Sequence, residues 1–203
     1  METVIKNSEN NTEKYATYRA MTGRHKLAMK HGFYLEAMLI DYAMLEDRLT
    51  SFIWYAGVIK NTNSRSLGGR ANKQVLNEIF DEENLPNFRN ISGKIDAVRT
   101  LISFACKPCD KEDKYAKLLH EALNTIDLDE LSQALDGVDK WREYRNEVIH
   151  AAMKKNIISL YEDLEKNAGL GMEYARVIDN AVRRLKKRPA IRRSVRMPSK
   201  KDG

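Results

Sequence analysis

The residues best equipped for chemistry stand together late in the chain, in Trp141-Arg142-Glu143-Tyr144-Arg145-Asn146-Glu147-Val148-Ile149-His150. An arginine offers a planar fork of donors that suits a phosphate. A histidine titrates near neutrality, so it gives or takes a proton at working pH. Asn146 adds an amide, and Tyr144 a ring on which a base can stack. Two arginines here also break a pattern. Leu128, Leu131, Leu135 and Val138 recur at helical spacing, and the same steps lead next to Arg142 and Arg145, then to Ile149 and Ala152. An arginine where a bundle expects an aliphatic side chain marks either a functional site or a helix end that leaves the core for water.

Other reactive residues carry less. Cys106-Lys-Pro-Cys109 has CxxC spacing, but the chain holds only 2 cysteines, and His120 is the one further ligand close in sequence. A structural zinc site takes four ligands, and a redox CxxC belongs in a βαβ setting. Two reduced thiols, no metal and no cofactor are expected.

The elements that hold these residues read as helices throughout. From Phe33 to Lys60 the positions Leu35, Met38, Tyr42, Leu45, Leu49, Phe52, Ala56 and Ile59 step by three and four, which predicts one long amphipathic helix. A helix at about 13–30 precedes it, with Gly32 as its stop. Residues 61–72 are a loop by composition. Shorter helices are expected over Lys73–Phe80, Ser92–Cys106 and Lys111–Asn124. Asp127, with Glu130 three residues on, has the form of an N-cap. It opens a helix that reaches toward Met153 unless Gly137 breaks it. A last helix covers Ser159–Arg188, with an interruption at Gly169 and Gly171. Trp54 and Trp141 are expected to be packing residues. No strand pattern, repeat or phosphate-binding glycine loop is present. The expected fold is an all-α antiparallel helical bundle: a disordered stretch at 1–11, one domain over 12–188, and a flexible basic tail over 189–203.

In this all-α setting, Arg145-Asn146-x-x-x-His150 resembles the signature of HEPN domains: an arginine, a polar residue, and a histidine separated from the arginine by four to six residues. The setting is similar too, late in an all-α bundle, after a long amphipathic helix and before one more. With 16 Arg and 4 His in the chain, loose spacing alone yields about one match by chance. Arg19 to His25 and Arg24 to His31 are such matches, and Arg24-His25 is the one competitor with a permitted second residue. Asn after the arginine, the spacing and the position favour 145–150.

The resemblance implies a metal-independent endoribonuclease that works as a homodimer and leaves a 2′,3′-cyclic phosphate after attack by the RNA 2′-OH. It implies Arg145 on the phosphate, His150 as general acid or base, and Asn146 orienting His150 or touching substrate. Arg142 and Tyr144 follow as a further phosphate contact and a stacking platform. Glu46 is placed opposite the motif to steer Arg145, or is an ordinary solvated acid. At about 100° per residue, Arg145 and His150 sit about 140° apart on a straight helix. A site using both therefore needs a distorted helix or two copies facing across a twofold axis, and a dimer through the motif region is expected. Such proteins serve as toxins or antiphage effectors, which leaves room for an antitoxin or regulatory partner. The alternative is a non-catalytic dimeric helical module that binds RNA, a nucleotide or a protein.

Charge is unevenly spread. Residues 183–203 hold ten Lys/Arg and one acid, while the other 182 residues hold 25 Lys/Arg and 28 Asp/Glu. The expected role of the basic end is sequence-blind contact with RNA phosphates. The chain has no apolar run long enough to cross a membrane and a polar Asn-rich start, so a cytoplasmic protein is expected.

Overall fold

The computed structural model describes residues 11–60, 67–68, 72–81, 85–109, 112–151, 154 and 157–196. Among them the chain forms nine helices: α1 (Asn11–Lys30), α2 (Tyr34–Tyr55), α3 (Lys73–Phe80), α4 (Ile91–Ala105), α5 (Lys114–Leu123), α6 (Leu128–Ala151), α7 (Ile157–Ala168), α8 (Leu170–Lys186) and α9 (Pro189–Arg196). One antiparallel bridge joins Ile59 to Leu67. No described helix is long and apolar enough to cross a membrane.

The helix starts follow from side chains that satisfy the first free backbone donors. Asn90 accepts from the Gly93 amide at 2.7 Å, Asp113 from Ala116 at 2.9 Å, and Asp127 from Glu130 at 2.9 Å. Gly32, at φ +72°, reverses the chain between α1 and α2. Helix α2 is the central element, with α8, α1, α4 and α7 packed on it. Its Leu45, Leu49, Phe52 and Ile53 are fully buried with Ile95 and Leu101 of α4, Leu131 and Leu135 of α6 and Ile178 of α8. The all-α bundle expected from periodicity is the fold observed.

Four details differ from or sharpen the expectation. Helix α2 stops at Tyr55, short of Lys60, because Gly57 takes φ +81° and turns the chain. Ala56, Val58 and Ile59 are nonetheless buried, which is why the apolar spacing runs on past the helix. Helix α6 passes through Gly137 unbroken, with the Tyr174 ring lying where a Cβ would stand. The last long helix is two, α7 and α8, parted at Gly169.

The fourth difference is the basic end. Residues 189–196 are helix α9 and not a flexible tail. Pro189 is its first residue, where proline's fixed φ suits a helix start. Ile191 and Val195 are buried, and α9 packs on α5. Arg192 donates to the carbonyls of Trp54 at 3.1 Å, Ile59 at 3.0 Å and Lys60 at 3.0 Å, with its guanidinium 4.3 Å from the Trp54 ring centroid. The cation that looked like a tail residue thus binds carbonyls at the end of α2 and just beyond it. The expectations for residues 1–10, 152–153 and 197–203 lie outside the described residues, and Asn11 already belongs to α1.

Candidate functional site

Helix α6 is anchored just before the Arg-Asn segment. Trp141 is buried and its indole Nε1 donates to the Asn167 carbonyl at 2.9 Å. Gly171 of α8 permits this packing: a Cβ there would stand 2.7 Å from the Asp41 Cβ and 2.8 Å from the Trp141 ring. One turn on, Arg145 lies over α2 with its guanidinium carbon 4.4 Å from the Tyr42 ring centroid. Its Nη1 donates to Asn146 Oδ1 at 3.0 Å. Its Nε is buried and meets no acceptor among the described residues, and it makes no ion pair with any of them. Arg145 is therefore a half-buried cation held by a ring and an amide.

The remaining predicted residues fall around it. Arg142 is partly buried, 3.4 Å from Asp139, which also takes Arg99 at 2.7 Å. Tyr144 is half-buried, and burial, then the Asp163 charge, push its phenol up. His150 is exposed, next to Ile149, an apolar side chain that is 39% exposed. Glu46 accepts from Lys94 Nζ at 2.8 Å, so Lys94 takes the carboxylate that was expected to steer Arg145. Because α6 is unbroken through Ala151, Arg145 and His150 diverge by about 140° around it. The structure brings Arg145 and Asn146 together, and within one chain it turns His150 away from Arg145 while leaving it on the face of Asn146, about 40° round the helix.

The competing Arg24-His25 pair is engaged otherwise. Arg24 pairs with Glu36 at 3.1 Å. His25 Nε2 lies 3.1 Å from Asp41 Oδ1, with the Asp41 side chain wholly buried. Burial pushes the Asp41 carboxyl up, and the hydrogen bond to Asp41 pushes His25 up against its own burial. This pair ties α1 to α2 inside the bundle. His31 stacks on Phe33 at the helix turn. Cys106 is exposed, Cys109 half-buried, and both are free thiols. Among the described residues no group of three or more His, Cys, Asp or Glu is placed to hold a metal ion.

The sequence did not reveal a groove of about 880 Å³ between α1, α2 and α8. Its floor includes Met44, Arg48, Ser51 and Tyr55 of α2, which point about 180–240° around that helix from Tyr42. The groove and Arg145 are thus on opposite flanks of α2. Compared with family models, with curated proteins and with solved structures, the chain matches none of them.

Proposed function

We propose that this chain is a HEPN-like, metal-independent endoribonuclease whose site is completed by a second copy of α6. The observation that carries the reading is Arg145: a half-buried arginine on a core-facing position, with no carboxylate partner among the described residues. A buried or half-buried arginine is ordinarily paired. One held instead by a ring and an amide keeps its charge for an incoming phosphate, where it can offset negative charge that builds up in the transition state. Asn146 fixes its Nη1 and so its aim.

His150 supplies the proton transfer. It is exposed and points away from Arg145 on the same helix, so the histidine that serves one arginine comes from the other subunit. A twofold axis beside α6 would bring Arg145 of one copy toward His150 of the other and cover the exposed Ile149. In the reaction, His150 takes the proton of the 2′-OH or gives one to the leaving 5′-oxygen. The 2′-oxygen attacks phosphorus, the P–O5′ bond breaks, and the products end in a 2′,3′-cyclic phosphate and a 5′-hydroxyl. As an antiphage or toxin activity this would act on cellular RNA and need a check by a partner protein.

The test is cleavage of total RNA in EDTA by wild type, Arg145→Ala and His150→Ala. Wild type should cut and leave cyclic phosphate ends, and each variant should lose most of the rate. Cutting abolished by EDTA, or undiminished in both variants, contradicts the reading. A second reading, binding without catalysis, is favoured by the separation of Arg145 and His150 within one chain, and it predicts RNA binding with no cutting at all.

A further inference from the structure

The groove between α1 and α8 gathers charge against the trend of the chain. Residues 1–182 hold more acids than bases, yet seven Lys/Arg line the groove against one acid, Asp179. Helix α1 contributes Lys14, Arg19 and Lys26. Helix α8 contributes Arg176, Arg183 and Lys186, and Arg48 rises from the floor on α2. Two of the seven, Arg183 and Lys186, belong to the basic stretch 183–203.

These cations divide into two sets. Arg48 is fixed: it pairs with Asp47 and with Asp179 at 2.6 Å, and its guanidinium lies 4.2 Å from the Tyr18 ring centroid. Lys14 pairs with Asp47 at 2.9 Å and Arg183 with Asp179 at 2.7 Å. By contrast Arg19, Lys26, Arg176 and Lys186 make no ion pair among the described residues. Like charges that face one another across a groove repel, and an incoming anion relieves that repulsion.

Two further observations give the anion a shape. The α1 cations without an ion pair among the described residues, Arg19 and Lys26, stand about 10 Å apart along the helix axis, too far for a single phosphate group. Tyr15 opens the row and is 71% exposed, with Tyr18 and Tyr55 deeper in the groove. An exposed ring beside cations that make no ion pair among the described residues suits a strand that stacks a base while its phosphates are neutralised. Helix α1 is also thinly held, since between Thr12 and Arg24 it buries no residue. Tyr15, Arg19 and Thr22 of that stretch line the groove.

We propose that this groove binds a single-stranded polynucleotide, its phosphates on Arg19, Lys26, Arg176 and Lys186 and a base on Tyr15. The site lies on the opposite flank of α2 from Arg145. It adds a strand-holding surface to the nuclease reading and does not need cleavage to occur.

The test is fluorescence polarisation of the full chain with labelled oligouridylate and with oligodeoxythymidylate, which lacks a 2′-OH and cannot be cut by the chemistry above. Four neutralised phosphates predict that affinity falls about 50-fold between roughly 50 and 200 mM salt. Arg19→Ala/Lys26→Ala, which breaks no ion pair among the described residues, should bind roughly tenfold more weakly, with a log–log salt slope shallower by about 1.4. Tyr15→Ala should weaken binding about fivefold or more at unchanged slope. Binding of both oligomers assigns the groove to single strands of either sugar, and binding of oligouridylate alone assigns it to RNA; each supports the proposal. No binding by wild type, unchanged affinity in the double variant with an unaltered circular dichroism spectrum, or equal affinity for polyglutamate overturns it. Because binding of the uncuttable strand is read, loss of the nuclease reading and loss of this one are separate results.

Discussion

Arg145 lies over the Tyr42 ring with 4.4 Å between guanidinium carbon and ring centroid, and this contact joins the arginine of α6 to the central helix. The ring's quadrupole fixes the cation without neutralising it, as a carboxylate would. Tyr42→Phe should therefore keep cleavage near the wild-type level. Tyr42→Leu fills the space without a ring and should lower kcat by roughly 2–30-fold, the range of about 0.5–2 kcal/mol for such contacts. Steady-state cleavage rates of the two variants check it.

His25 and Asp41 make stability depend on pH. Both are pushed up, His25 chiefly by its hydrogen bond to Asp41 and Asp41 by burial, while Arg176 works against His25. A group whose folded pKa lies above its unfolded value stabilises fully below the unfolded value and loses that contribution as pH rises through the folded one. For His25 the loss starts above about 6.5. Thermal melts should show the melting temperature falling from there upward, and the fall should flatten in His25→Gln, which does not titrate. His25→Ala strands a buried carboxylate and should cost about 3–5 kcal/mol.

Helix α9 is part of the fold. Arg192→Ala leaves the carbonyls of Trp54, Ile59 and Lys60 without this donor and should destabilise by about 1–3 kcal/mol. Truncation after Arg188 also uncovers the surface under Ile191 and Val195 and should cost more. Urea melts of both proteins check this; a truncation as stable as the full chain would mean that α9 does not dock.

Gly171→Ala tests the joint that seats α6. Gly171 stands in the first turn of α8, so alanine gains there at most the about 1 kcal/mol over glycine that a helix interior gives. Here the added methyl meets the Asp41 Cβ at 2.7 Å and the Trp141 ring at 2.8 Å, and overpacking of this kind costs about 1–3 kcal/mol. Net destabilisation is expected by chemical denaturation, with a loss of cleavage larger than the population of unfolded protein explains, because Trp141 stands one turn from Arg145.

Helix periodicity made the bundle legible, and the Asp127 cap forms as its spacing indicates. The stripe at Ala56 and Ile59 misplaced the end of α2, because apolar spacing reports burial and only Gly57 carries the turn. The basic end hid α9 behind its charge, although Pro189 followed by Ile191 and Val195 has the form of a short helix with one apolar edge. Arg145 stood out because it broke a pattern, whereas Glu46 gave no sign that Lys94 would claim it. The groove was not legible. The four cations proposed to hold phosphate lie on α1 and α8, more than a hundred residues apart, and each taken singly is an ordinary surface charge.

The proposed cleavage needs a site shared between two copies, and mixing of two inactive variants tests this most directly. Arg145→Ala and His150→Ala proteins, unfolded together and refolded, give heterodimers in which one of the two sites regains both residues. With random pairing, RNA cleavage should return to about a quarter of the wild-type rate. A mixture as inactive as either variant alone, from protein shown to be dimeric, would contradict a composite site of Arg145 and His150.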